Sequence, residues 1–177
     1  MGQNALLYNT TASYNTALGL TALQNNTTGG SNVAVGKEAL LANTTGSSNT
    51  AVGALSLDTN TTGASNTALG YRALTANTTA TENTSMGKDS MKDNTTGAGN
   101  SAYGVEALSN NTTASNNTSV GKLSMYTNTT GSSNVAVGSQ ALRLNTTASN
   151  NTAVGYYALK ANTTGYANTS VGKSSMA

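Results

Sequence analysis

The groups in this chain that could do acid–base chemistry are few. Its 177 residues hold six carboxylates, eight lysines and arginines and eight tyrosines, with no histidine and no cysteine. Without histidine the usual general base is missing, and without histidine or cysteine there is no soft-metal ligand and no disulfide. The acids Glu38, Asp58, Glu82, Asp89, Asp93 and Glu106 stand apart, at positions where a charge reads as a solvated face. No catalytic, cofactor-binding or metal-binding residue is expected, and an enzyme is the least favoured class. The net charge of +2, with lysines scattered and paired with acids, leaves no nucleic-acid footprint. No run is apolar enough to span a membrane, and no signal peptide precedes the first repeat. Lack of cysteine is compatible with extracellular life.

The abundant polar groups are amides and hydroxyls, and they recur. Gly36 is one of eleven glycines, from Gly2 to Gly172, spaced seventeen residues apart without insertion or deletion. A fixed period in this range signals a solenoid, in which each unit contacts mainly its neighbours. Counting columns from that glycine, column seven is Asn in all ten copies, as at Asn43 and Asn60. Columns eight and nine are Thr throughout, as at Thr44 and Thr45, and column thirteen is Asn again, as at Asn49 and Asn66. With Gly53 and Gly70 these are the expected structural ladder. The single domain spans 1–177.

The elements follow from the same columns. Column fourteen is Thr or Val, with one Ser, and column sixteen is Val, Leu or Met, with Tyr103 as the exception. Their alternation with thirteen and fifteen is the period of a strand, so NVAVG, NTAVG and NTSVG each predict a short strand. Val or Leu faces one side and the Ala or Ser of column fifteen faces the other. The glycine takes an open backbone at a corner. The segment from column one to six reads as a corner plus a brief second strand, and NTTG as a third extended piece with a turn at columns ten and eleven. The fold class is all-β, a parallel β-solenoid of ten 17-residue coils. Coils about 4.8 Å apart make a rod of roughly 48 Å. Only 25 residues are Leu or Val, with no Ile, Phe or Trp. A composition this poor in large aliphatics approaches disorder, but the low net charge and the unbroken register favour order.

Every charged residue falls in column one, two, five, six or twelve. The variable columns are therefore the expected wet face and the fixed columns the packed one. Stacked Asn can share amide hydrogen bonds from coil to coil, and Thr suits strand geometry. Where column fifteen is Ser, the next columns three and four are Ser and Met, as in Ser119, Ser124 and Met125; most other copies have Ala, Ala and Leu. These positions flank one corner and should touch. Small residues there imply a backbone close by, either the far wall of the same coil or a partner chain. Every NTT, and NTS at Asn83, Asn117 and Asn168, is formally a glycosylation acceptor, but the repeat explains the match on packing grounds. No column is consistently acidic, so the calcium-binding β-roll pattern is absent.

Repeats reading NTAVGxxAL followed by NTTG, as at Asn151–Gly155 and each NTT, resemble those of phage tail-fibre and tail-fibre-domain surface proteins. NTAVG is more distantly similar to the head repeats of trimeric autotransporter adhesins. The resemblance covers the whole chain. It implies a homotrimer of parallel β-solenoids, an extracellular or virion location, and contact with a cell surface, its glycans or its proteins. The tyrosines Tyr71, Tyr156, Tyr157 and Tyr166 are the candidate surface contacts. Met1 fills a column-sixteen slot and Ala177 ends in register, with no capping sequence, so a fragment of a longer fibre or an end-to-end filament is expected. The leading function is a non-enzymatic fibre shaft or adhesin segment. The alternative is an ice-binding solenoid using Thr and Asn rows. Against it, columns eight and nine are adjacent, so only one Thr row would face water.

Overall fold

The computed structural model describes residues 2–176; Met1 and Ala177, placed in register by the sequence, lie outside the described residues. Ten three-residue strands run from β1 (Thr16–Leu18), β2 (Val33–Val35) and β3 (Thr50–Val52) to β9 (Thr152–Val154) and β10 (Thr169–Val171). They form one parallel sheet in sequence order, every residue opposite its own copy one coil away, as with Val33 and Thr50 or Ala34 and Ala51. There is no helix among the described residues. The parallel β-solenoid is therefore observed: ten strands joined by nine turns.

Backbone bonds between coils continue outside the strands. Leu40 N–H donates to the Ser56 carbonyl at 3.0 Å, Thr44 to Thr61 at 2.9 Å, and Ser48 to Gly30 at 3.0 Å. Each coil therefore spends its main-chain groups on its neighbours, which is how a chain without a large core satisfies them.

Only one strand per coil forms, not the expected three pieces. After the glycine corner, columns two and four turn left-handed, as at Glu38 (φ 59°) and Leu40 (φ 52°), and break any second strand. Two turns result, closed by Ala39 N–H to Gly36 O at 3.3 Å and Asn43 N–H to Leu40 O at 3.2 Å. NTTG is bent rather than a strand, and the left-handed residue lies at column twelve, as at Ser48 (φ 59°), not at ten and eleven. Left-handed backbone costs a non-glycine residue roughly 1–2 kcal/mol, so three per coil cost about 3–6 kcal/mol. An isolated coil could not offset that; stacked coils can.

The core is narrow. Each inner coil buries one large apolar side chain, the Leu or Met of column four, with the Ala or Ser of columns three and fifteen around it. Column fifteen thus faces the far wall of its own coil, and the alternative of a partner chain against it is corrected: Ala51 and Ser119 have no exposure in the single chain. The Ser pairing is explained by the same contact. Ser119 Oγ bonds Ser124 Oγ and donates to the Ser124 carbonyl at 2.9 Å, and Ser85 does the same to the Ser90 carbonyl at 2.8 Å. The unbranched Met beside each pair adapts to the extra oxygens. Ser56, which lacks such a partner, donates to Gly53 O at 2.8 Å, as the paired Ser124 does to Gly121 O at 2.9 Å.

Candidate functional site: the ladders and the outer faces

Two asparagine ladders run inside the rod, and they work differently. In column seven, Asn43 Nδ2 donates to Asn26 Oδ1 at 2.8 Å and to the Gly46 carbonyl of its own coil at 2.9 Å. Asn60 Nδ2 then donates to Asn43 Oδ1 at 2.9 Å, so the amides form a continuous chain. In column thirteen, Asn49 Nδ2 reaches the next coil's Gly63 carbonyl at 2.8 Å, while its Oδ1 accepts the backbone N–H of Asn66 at 2.9 Å. The Gly63 carbonyl also accepts from Asn60, at 3.0 Å. Column ten therefore sits where two amides converge, and a Cβ at Gly63 would lie 2.4 Å from the Ala80 oxygen and from Asn60 Oδ1. At Gly53 the glycine corner is as tight: φ is 137° and a Cβ would lie 2.4 Å from the Gly70 oxygen.

Both asparagines are buried in the inner coils with their amide nitrogens engaged, so the NTT and NTS sequons there present no accessible nitrogen. The threonines divide. Thr44 Oγ1 donates to the Thr61 carbonyl at 3.1 Å and is half-buried. Thr45 is exposed, and its hydroxyl makes no hydrogen bond to protein, as is true of column nine in every coil. Thr45 is thus invariant without being part of a bonded ladder.

That separates constancy from packing. Columns fourteen and sixteen, although restricted to Thr, Val and a few other residues, point outward from the sheet and are half-exposed in most coils. They form a strip about 43 Å long at the usual strand spacing. Fixed columns nine, fourteen and sixteen therefore lie outside, which corrects the expectation that all fixed columns are packed.

The charged columns form another face, and it is uneven along the rod. Residues 1–106 hold all six acids and four bases, a net −2; residues 107–177 hold four bases and no acid, a net +4. In the first part Lys37 pairs with Glu38 at 3.3 Å, Lys88 and Arg72 with Asp89 at 3.1 and 3.6 Å, and Lys92 with Asp93 at 3.4 Å. Asp58 is half-buried there, and burial, with Glu38 nearby, pushes its carboxyl up from the usual range.

In the second part the structure assembles one cluster. The rings of Tyr156 and Tyr157 stack with centroids 3.9 Å apart, and Lys160 Nζ lies 4.1 Å from the Tyr157 centroid. Gln140 Nε2 donates to the Tyr157 hydroxyl at 3.2 Å, and Arg143 Nη1 donates to Gln140 Oε1 at 3.1 Å. The neighbouring Tyr157 hydroxyl raises the Tyr156 phenol, and the Tyr156 hydroxyl lowers that of Tyr157; Lys160, then Gln140 and Arg143, lower the latter further. Arg143 Nε is buried with no hydrogen-bond partner.

Of the four candidate tyrosines, only Tyr156 and Tyr157 meet. Tyr71 shares column one with Tyr156 but lies five coils away, and Tyr166 stands exposed in column eleven. Gln140, Arg143 and Lys160 do not stand out in the sequence. The signal was there, because stepping back seventeen from Tyr157 and Lys160 lands on Gln140 and Arg143. The described residues contain no pocket and no group of three or more potential metal ligands. Comparison with family models, with curated proteins and with solved structures returns no match to this chain, so its functional reading rests on its own geometry.

Proposed function

We propose that this chain is a non-enzymatic structural segment of an extracellular or virion fibre, in which copies pack side by side as a homotrimer. The observation that carries the reading is the outward strip of the sheet. Its column-sixteen row is Val, Leu or Met with Tyr103, half-exposed along the rod and more so at Leu18 and Leu69, and its column-fourteen row is mostly Thr, on a protein whose remaining exterior is mostly polar. A continuous row of exposed apolar side chains such as column sixteen marks an association surface. Its width of three residues gives on the order of 400 Å², below the usual ~800 Å² per partner, so flanking columns must add to the contact. The test is solution mass by light scattering. Wild type is expected near three chains, and Val52→Lys with Val137→Lys near one; a monomeric wild type refutes the reading, and a stable dimer refutes the trimer.

One observation favours a second reading, the binding of ice. Column nine presents exposed threonine in every coil, its hydroxyl free to order water. The outward sheet itself is interrupted by Met86 and Tyr103, which are paired neighbours in its middle. That reading therefore depends on column nine. Thermal hysteresis above the colligative value, lost in Thr45→Lys with Thr62→Lys, supports it; none in wild type removes it.

A further inference from the structure

We infer that the charged face of residues 122–173 is a binding site for a linear acidic polysaccharide, one bearing sulfate or carboxylate groups. The proposal deepens the fibre reading by naming what the surface would hold, and it rests on that reading for its setting.

The residues lie in three rows made by the period. Lys122, Ser139, Tyr156 and Lys173 follow one another in column one, Gln140 and Tyr157 in column two, and Arg143 and Lys160 in column five. From Lys122 to Lys173 is three coil steps, about 14 Å. None of these four cations has an acidic partner within ion-pair distance among the described residues, whereas all four cations of the first part do. Charge of one sign on one face raises the local concentration of an oppositely charged polymer. Between the cations, the Tyr156–Tyr157 stack offers a flat aromatic surface for the apolar face of a sugar ring. Gln140 and the tyrosine hydroxyls supply polar atoms for its hydroxyls.

The main competitor, a second copy of the chain, fits less well. The acidic part offers fewer free charges: Glu38, Asp89 and Asp93 are ion-paired, Glu82 stands in column twelve, and the remaining Asp58 and Glu106 lie in different columns, three coils apart. Nucleic acid fits less well too. Four cations are few beside the roughly 6–10 phosphate contacts of a typical binder.

The test uses the whole chain and dextran sulfate as probe, with neutral dextran and single-stranded DNA of matched charge alongside. Wild type is expected to bind dextran sulfate in a salt-sensitive way and to ignore neutral dextran. Arg143→Gln with Lys160→Gln should weaken binding about tenfold or more, and Tyr156→Ala about fivefold. Other coils hold Gln24 in column five and Ala54 in column one, so the variants should keep the wild-type circular dichroism. Lys88→Gln with Lys92→Gln is the control and should change binding less than twofold. The inference is overturned by no binding, by binding unchanged in the double variant, or by equal loss in the control. It is also overturned by tighter binding to DNA, or by self-association that the same substitutions abolish. Because the fibre reading is tested by mass on the sheet-face variants, the two can fail separately: a monomer that still binds dextran sulfate keeps the site and loses the fibre.

Discussion

Replacing one asparagine in the middle of the column-seven ladder should cost far more than its size suggests. Asn111 is fully buried; its Nδ2 donates to Asn94 Oδ1 at 2.7 Å and to the Ala114 carbonyl at 3.0 Å, and its Oδ1 accepts from Asn128 at 3.0 Å. Asn111→Ala removes three bonds worth about 1 kcal/mol each and orphans Asn94 Oδ1 for about 1–3 more, a total of about 4–6 kcal/mol. The Ala114 carbonyl is spared, because Asn100 still donates to it at 2.9 Å. Asn111→Asp keeps the volume but cannot donate when ionised, and places its oxygens against two acceptors. Burial then raises its carboxyl above the unfolded value near 4. A raised acid is fully tolerated below the unfolded pKa, and stability is lost as pH rises through the folded one. If the shift is about three units, the loss is about 4 kcal/mol by neutral pH. Urea unfolding followed by far-UV circular dichroism at pH 3 and pH 7 decides the matter. The Asp variant, whose neutral carboxyl keeps one of the two donated bonds, should lie within about 1 kcal/mol of wild type at pH 3 and be much weaker at pH 7, while the Ala variant is weak at both. The half-buried Asn9, which has no preceding coil in the described residues, should cost only about 1–2 kcal/mol when changed to Ala. An Asn111→Ala effect below 1 kcal/mol, or an Asp variant indifferent to pH, refutes the ladder as a source of stability.

Three more outcomes follow from the geometry. Gly53→Ala should cost about 3 kcal/mol or more, since its φ of 137° and a Cβ 2.4 Å from the Gly70 oxygen leave no room, whereas Gly99→Ser, at φ 66° and facing only the Asn116 side chain, should stay within about 1 kcal/mol by urea midpoint. Ser119→Ala should lose about 1 kcal/mol by breaking the buried Ser pair, and Ser119→Ala with Ser124→Ala and Met125→Leu should recover wild-type stability, because that is the combination other coils use. Asp58→Asn should raise the urea midpoint at pH 7 and leave it unchanged at pH 3, since a carboxyl raised by burial and by Glu38 weakens the fold only once pH passes its unfolded value.

Most of the architecture was legible because the period is unbroken: if Gly36 stacks on Gly53, then Asn43 must stack on Asn26 and Asn60, and an amide ladder follows. The Ser–Ser–Met correlation likewise marked two serines that bond each other across the coil. What the pattern could not supply was direction. Alternation says that columns fifteen and sixteen face opposite ways, not which one faces in. The coil is too narrow for two rows of large residues, so Leu40 takes the interior and Ala51 closes over it. The number of strands was misread for a related reason. Left-handed backbone at Leu40 runs against its local preference, and bonds to the coils on either side hold it there.

Constancy within this chain has two causes, and burial separates them. Asn43, Asn49 and Gly53 are constant because each satisfies or makes room for a neighbouring coil, and a change would be felt along the ladder. Thr45 is constant although nothing in its own coil holds its hydroxyl, so a structural account of the interior leaves it unexplained. Rows such as column nine and the outward strip present the same group at every coil and can match only a partner that also repeats, whether another solenoid or a lattice. The cluster around Tyr157 occurs once, in columns the fold leaves free. A partner that reads it would bind one stretch of the rod, with a stoichiometry of one per chain. A partner that reads Thr45 and its copies would bind in numbers set by length, so deleting one whole coil should lower the second kind of binding in proportion and leave the first intact.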